Sequence, residues 1–588
     1  MFHPLTARID AILRDTFSAL GLPTAHACAV ACGRPELADF QCNGAMPTAK
    51  MLGRQPRDIA AALTAHLSTR PEFFAVSSAG PGFINMRIAP SLLAEAAAEL
   101  LHDEHLGVAD QGHGQLAVID FGGPNVAKPL HVGHLRSLVI GESLRRMLKA
   151  QGWRVIADAH LGDWGLQMGM LTSALRRRQP ELPWFAPVFQ AAGQVAAPVT
   201  LDELERLYPA AAEACRVDPE RMAEARADTA ALQAGDPGLR DLWRALRTLS
   251  LQAQQRDFSA LGVTFDLLLG ESDVQPAIAP MIEDLCRRGI AVESDAALII
   301  DVARPGDGKA LPPLLLAKQD GASLYATTDL ATLLQRTAQL GAKRVLYVVD
   351  QRQLLHFEQV FRAAAKAGWS ADVELRHIGF GTVNGVDGKP YKTRQGGVAR
   401  LADLLDAAVE KAAERIDDSG YGADLAPAAK ADLARQVGMA AVKFADLSGD
   451  RLSGYVFDLD RLVSFEGRTG PYLQYACVRI RSVLRKAAES GEVVGAAVPE
   501  VRAECELLLA CLAFPEAVAE AVRLYQPGVL AEYAFGLAQR FSRFYAECPV
   551  LGAAIVTQRA SRLAMCHLTG MVLARSLELL GIDVPERM

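Results

Sequence analysis

Residues 115–163 read QLAVIDFGGPNVAKPLHVGHLRSLVIGESLRRMLKAQGWRVIADAHLGD. A short apolar run (QLAVIDFG) leads into an amphipathic stretch from His131 to Gly152, and a second apolar run starts at Trp153. Short apolar runs between turn residues read as strands, and the 3.6-residue spacing between them reads as a helix. Strand, helix, strand is a βαβ unit, which predicts a parallel sheet covered by helices. The pattern returns at RVLYVVD (344–350) with a helix from Gln353, and at VELRHIGFG (373–381) with a helix from Leu401.

Outward from this unit the pattern changes twice. Residues 1–112 mix helical stretches with FFAVSSAGPGFINMRIA (73–89), which alternates like two strands around a Gly-Pro-Gly turn. DQGHGQ (110–115) reads as a linker. From about 178 to 265 the spacing is helical and charge-rich, an expected insertion within the α/β domain. From about 460 to the end it is helical almost throughout, an expected bundle. The expected domains are therefore 1–112, 113–459 and 460–588.

A chain of 588 residues is too long for one core. With 50% hydrophobic and 22% charged residues it is globular, not disordered. The first residues lack a charged-then-apolar leader pattern, and no run reaches the ~20 apolar residues of a membrane span. The most apolar C-terminal run, SRLAMCHLTGMVLARSLELLG, is interrupted by Arg562, His567 and Arg575 and reads as a buried amphipathic helix. A soluble, cytoplasmic chain is expected. Ten cysteines are scattered, Cys28 and Cys32 being the close pair, with neither the paired spacing of a zinc site nor a disulfide framework. Small buried core residues are expected, and no structural zinc. The net charge of −7 neither announces nor excludes a nucleic-acid partner, because phosphate contacts depend on local patches.

Chemistry concentrates in PNVAKPLHVGHLRS (124–137), after a strand and at a helix start. His131 and His134 are three apart, Gly133 between them is expected to let a ligand near the backbone, and the helix start to offer free N–H groups and a positive dipole end. Two imidazole donors there suit the charge that develops on a phosphate during transfer, and Lys128 adds a cation. A chance tetrapeptide on an ordinary helix start is the competing reading.

This segment resembles the His-Ile-Gly-His signature of the class I aminoacyl-tRNA synthetases. Its longer frame, Pro-Asn-Val-Ala-Lys before His-Val-Gly-His, is similar to the arginyl-tRNA synthetases in particular. Further matches follow in the family's order: GPGFIN (80–85), AHLGDWGLQMGM (159–170), LYATTDLA (324–331), RQLLHFEQVF (352–361), GKPYKTRQGG (388–397), TGPYLQYACVRIRS (469–482), FYAECPVL (544–551) and the terminal LGIDVPERM. They span essentially the whole chain.

The resemblance implies an α/β fold: a Rossmann-type catalytic domain with a parallel sheet, an α+β N-terminal domain and an all-helical C-terminal bundle. It implies ATP-dependent activation of L-arginine to arginyl-adenylate and transfer to the 3′ end of tRNA(Arg), with Mg2+ accompanying the ATP. His131 and His134 are then the groups that stabilise the transition-state phosphate, with Gly133 in the ATP site. The family's second signature, Lys-Met-Ser-Lys-Ser, is replaced here by Lys389-Pro-Tyr-Lys392-Thr-Arg394, in which no second signature lysine aligns. Lys128, Lys392 and Arg394 are the expected phosphate contacts; a solvated basic turn is the alternative for the last two.

Arginine presents a rigid fork of N–H donors and a permanent charge, so its pocket must supply fixed acceptors and a carboxylate. Matching positions are Asp120, Asn125, Tyr325, Asp329 and Gln353, with His160 in the adjoining active-site segment and Trp164 either stacking or packing. Taken singly, Asp329 could be a helix cap, Gln353 a surface side chain and Tyr325 a core ring. Phe83 and Asn85 fall where the family contacts a D-loop base, with Phe83 in a core as the alternative. Arg479, Arg481 and Tyr545 are exposed candidates in the family's anticodon-binding bundle. A monomer without membrane association is implied. Cytidylyltransferases and pantothenate synthetase share His-x-Gly-His but lack the helical C-terminal region, and a tRNA-binding paralogue without activity should have lost His131, His134, Asn125 or Asp329.

Overall fold

Asp39, its side chain 2% exposed, needs counter-charge, and it finds Arg502 at 2.6 Å and Arg87 at 3.3 Å. That contact joins the two ends of the sequence. The computed structural model describes residues 2–189, 196–294, 297–318, 325–391 and 399–588. Its contacts divide the chain into one unit of residues 1–109, 465–579 and 583–588, and a second of residues 110–464 and 580–582.

In the first unit, β1 (Ala29–Ala31), β2 (Phe40–Cys42), β3 (Phe73–Ala79) and β4 (Phe83–Ile88) form an antiparallel sheet of order β1-β2-β4-β3. The turn between β3 and β4 is the expected Gly-Pro-Gly turn. Helices Leu5–Ala19, Ala45–Leu52, Pro56–Leu67 and Pro90–His102 accompany the sheet, and Gly470–Glu489, Arg502–Leu512, Phe514–Arg523, Pro527–Glu547 and Val556–Leu579 belong to the same unit. The last is the expected buried helix, and its one fully enclosed cation, Arg562, donates to Glu504 at 2.8 Å and to the Pro549 carbonyl. Breaking such a pair strands a charge, which is why Arg562 tolerates burial only with Glu504 beside it. The cysteine expectation needs correcting. Six of the ten are buried, but Cys28 and Cys286 are exposed and Cys32 and Cys505 half-buried. Cys28 and Cys32 flank β1, an edge strand with only one neighbour to cover it.

In the second unit β5 (Leu116–Phe121) is buried at every residue, as a strand covered on both faces must be. β6 (Arg154–Asp158) follows the signature helix Val132–Ala150. β7 (Val292–Ser294), β8 (Ala297–Ile300) and β9 (Leu314–Lys318) make a small antiparallel sheet that the sequence reading did not anticipate. β10 (Arg344–Val348) and β11 (Glu374–His377) return to the main sheet, whose order is β11-β10-β5-β6 with all pairs parallel. β12 (Val383–Asn384) and β13 (Tyr455–Val456) form a separate parallel pair. Sequence order reverses between β5 and β10, so a crevice opens at their carboxyl ends, where ligands bind in such sheets. The helical insertion is Leu201–Val217, Pro219–Ala234 and Pro237–Ala260, and its Leu204, Leu232, Leu242 and Leu246 share a core with Val126 and Trp164.

Candidate active site

The crevice begins where β5 ends. Gly122 turns the chain with φ +82°, and its N–H donates to Ser137 Oγ, which in turn donates to the Val348 carbonyl at the end of β10. Residues 124–128 then run along the crevice. Val126 N–H bonds the Gly162 carbonyl at 3.0 Å. Ala127 takes φ +68°, a left-handed conformation that costs a non-glycine residue about 1–2 kcal/mol. Its N–H is held by Ser250 Oγ at 2.9 Å, and Gln254 Nε2 donates to the carbonyls of Asn125 and Lys128.

His131 is the N-cap of the signature helix. The Gly133 N–H donates to His131 Nδ1 and the His131 N–H donates to His134 Nδ1, both at 3.0 Å. A backbone N–H can only donate, so the two 3.0 Å contacts make both Nδ1 atoms acceptors with the hydrogen on Nε2, against a longer 3.3 Å approach of His134 Nδ1 to the His131 carbonyl that the other tautomer would use. The rings lie 4.0 Å apart. Burial, then the neighbouring His131 and Lys128, lower the His134 pKa to about 3, and burial and Lys128 lower that of His131. The pair is neutral at neutral pH and presents two N–H donors.

One expectation about this helix start is corrected. The first N–H groups are not free, since Val132 donates to the Ala399 carbonyl and Gly133 to His131. A helix start must pair its orphan donors, and here the cap and the 399–401 segment do so. Gly133 also makes room for a side chain: a Cβ there would stand 2.6 Å from His131 Cε1. Lys128 places its ammonium 4.5 Å above the Tyr208 ring. Lys389 is exposed on the turn after β12, and Lys392 and Arg394 lie outside the described residues. The return of that loop is fixed, because Leu401 N–H bonds the Leu130 carbonyl next to His131.

The five positions expected to hold arginine do not all converge. Asp120 is buried, and its carboxylate is paired at 2.7 Å with Arg336, which also pairs with Asp158 at 2.7 Å. Burial opposes the Arg336 charge, but Asp120, Tyr347 and Asp158 more than offset this and hold the guanidinium well above its ordinary pKa. Asp120 therefore serves a guanidinium of the protein itself. Its neighbour His160 has both ring nitrogens buried without a hydrogen bond among the described residues. Asn125 bridges to Gly162. Gln353, in the turn after β10, is exposed.

Tyr325 and Asp329 do share a face of the helix Tyr325–Leu334, with Tyr325 71% exposed rather than a core ring. Asp329 is not a cap: Oδ2 contacts His356 Nε2 at 2.5 Å. Facing them is Glu271, a residue the sequence reading missed. It is the first residue of the helix Glu271–Arg287, and burial followed by the charges of Asp163 and Asp329 raises its pKa to about 7. Burial and then Glu271 and Tyr208 push the Tyr325 hydroxyl up as well. Two acids and a phenol thus crowd together, and among the described residues their one ion-pair partner is His356 on Asp329, an arrangement suited to a cation. Trp164 packs: it is 3% exposed, edge-on to Trp243 and under the Arg240 guanidinium.

In the other unit Asn85 is buried with its Oδ1 accepting from Gln41, and Phe83 is half-buried beside Gly80. Arg479 lies over the Tyr545 ring at 4.2 Å, both half-buried rather than exposed. Arg481 donates to the Pro585 carbonyl and so fastens the terminal segment. Among the described residues no cluster of three or more His, Cys, Asp or Glu could hold a metal ion, and no helix is long and apolar enough to cross a membrane.

Family models match along the chain: the N-terminal domain of arginyl-tRNA synthetases at 5–88, the class I (R) tRNA-synthetase catalytic domain at 96–459, and the DALR anticodon-binding domain at 473–588. An arginine–tRNA ligase of Maricaulis maris is 49% identical over 99% of both chains, and one of Hyphomonas neptunium is 47% identical over 99% of this chain and all of the other. The arginyl-tRNA synthetase of Thermus thermophilus shares the fold, with a TM-score of 0.80 at 24% identity over 99% of this chain and all of that one.

Proposed function

The chain belongs to the class I arginyl-tRNA synthetases, an arginine–tRNA ligase that spends ATP, and on that premise we propose how its residues divide the work. The observation that carries the division is the reciprocal cap, which fixes two neutral imidazoles with Nε2–H outward beside Lys128 at a helix N-terminus. ATP lies with its phosphates against that corner, where Mg2+ carried by the nucleotide would offset part of the phosphate charge. The arginine carboxylate attacks the α-phosphate, pyrophosphate leaves, and charge on the phosphate oxygens rises in the transition state. Donors already aligned there, and neutral, need no reorganisation as that charge develops. No covalent enzyme intermediate is needed, so positioning and electrostatics supply the rate. A ribose hydroxyl of the tRNA 3′ end then takes the arginyl group from AMP.

Asp329, Glu271 and Tyr325 are the acceptors for the substrate guanidinium, with Asn125, His160 and Gln353 around the α-amino and carboxylate end. Lys392 and Arg394 complete the phosphate contacts. Phe83, Arg479 and Arg481 belong to surfaces that hold the tRNA, with Asn85 supporting the first of them from below through Gln41, and the enzyme works as a cytoplasmic monomer. The test is arginine-dependent exchange of labelled pyrophosphate into ATP, with and without tRNA(Arg). Exchange that requires arginine and rises with tRNA supports the assignment. Tight tRNA binding with no exchange under either condition refutes it.

Glu271 gives the site a pH signature. Its carboxyl holds a proton below about pH 7 in the free enzyme, whereas a guanidinium needs the carboxylate. Arginine binding therefore tightens as pH rises through 7 and releases a proton at pH 6 to 7. Calorimetry in buffers of different ionisation enthalpy measures that release, and Glu271→Gln abolishes it. The same raised pKa makes the free protein less stable as pH climbs from about 5 through 7, a loss that saturating arginine reverses.

A further inference from the structure

Tyr208, on the first helix of the insertion, belongs to none of the motifs that mark the site. Its ring lies beneath the Lys128 ammonium, 4.5 Å from centroid to Nζ. The same insertion grips the backbone that carries Lys128. Ser250 Oγ holds the left-handed Ala127, and Gln254 Nε2 spans the carbonyls of Asn125 and Lys128. Ser250 and Gln254 are 1% and 2% exposed, so these contacts are not surface accidents. Tyr208 itself packs on the core that includes Val126, Ala127 and Trp164.

We infer that the helical insertion is a positioning frame for the phosphate-binding cation, with Tyr208 the residue that holds Lys128 ready for the triphosphate. The physical point is the choice of partner. A carboxylate would hold the ammonium by neutralising it. An aromatic face attracts a cation through its quadrupole while leaving the full charge and the N–H donors available. A lysine otherwise brings a flexible four-carbon stem whose rotamers must be frozen when ATP binds. The ring and the pinned backbone remove most of that freedom beforehand, as preorganisation requires. Tyr208 is thus a positioning residue acting through Lys128. The inference rests on the phosphate role proposed above for Lys128.

The experiment is arginine-dependent ATP–pyrophosphate exchange on the full chain, comparing Tyr208→Leu, Tyr208→Phe, Lys128→Met and the Tyr208→Leu/Lys128→Met double variant. Tyr208→Leu lowers kcat/KM for ATP by about 5- to 10-fold, the scale of one cation–π contact, with the KM for arginine within about twofold of wild type. Tyr208→Phe keeps the ring face and recovers kcat/KM to within about twofold. In the Lys128→Met background Tyr208→Leu has no further effect, because the group it positions is gone. Losses that multiply in the double variant, or a Tyr208→Leu defect that falls on the KM for arginine, overturn the inference and leave Tyr208 a packing residue. Wild-type exchange in Lys128→Met refutes the phosphate role of Lys128 itself, a failure distinct from additivity in the double variant.

Discussion

Alanine at His134 lowers kcat for arginine-dependent ATP–pyrophosphate exchange by about 10³-fold while the KM for arginine moves less than about twofold. The magnitude is that of removing one fixed donor from a transition-state anion, about 3–4 kcal/mol. Two features of the cap make the effect large. His134 donates through Nε2 because its Nδ1 accepts the His131 N–H, so the variant loses the donor and also the half of the reciprocal cap that pins the His131 backbone. The two rings are 4.0 Å apart, so His131 then has room to turn away. With the His134 pKa at about 3, its ionisation contributes no limb to the pH–rate profile between pH 6 and 9. A limb near 6.5 that vanished in His134→Ala would show instead an imidazolium at work.

The second large effect is on substrate choice. Asp329→Asn lowers kcat/KM for arginine by about 10³-fold, since removing one partner of an enclosed charge pair costs roughly 2–5 kcal/mol. The KM for ATP stays within about twofold, because Asp329 lies on the Tyr325 helix and not at the signature cap. Discrimination against citrulline, which has the shape of arginine without its charge, falls in the same variant. Steady-state exchange kinetics with each amino acid measure both. An equal loss for arginine and citrulline would place the Asp329 contact elsewhere, on His356 alone, with which it already pairs at 2.5 Å.

The catalytic corner was legible because it is local. Lys128, His131, Gly133 and His134 fall within seven residues, and a strand followed by a helix fixes their relative placement whatever the rest of the chain does. The alternation around Gly80–Gly82 and the insertion helices were legible for the same reason, as short-range periodicities. The arginine pocket was only half legible. Tyr325 and Asp329 are one helical turn apart, so spacing alone puts them on one face. Asp120 was assigned to the substrate because no sequence pattern reveals that Arg336, more than two hundred residues on, pairs with it. Glu271 escaped because a glutamate opening a helix is ordinary, and only its burial beside Asp163 and Asp329 makes it unusual. Gly133 was read as an approach for a ligand, and no sequence pattern shows that its missing side chain also leaves space for the His131 ring.

The Asp39–Arg502 contact bears on how the polypeptide is made. A ribosome delivers the first 109 residues roughly 350 residues before the helices that enclose Asp39. At about 5–20 residues per second that interval is tens of seconds, during which the nascent amino-terminal sheet lacks its covering. Vectorial synthesis therefore favours the middle segment folding first, with the flanks closing together only once residues 465–579 have emerged.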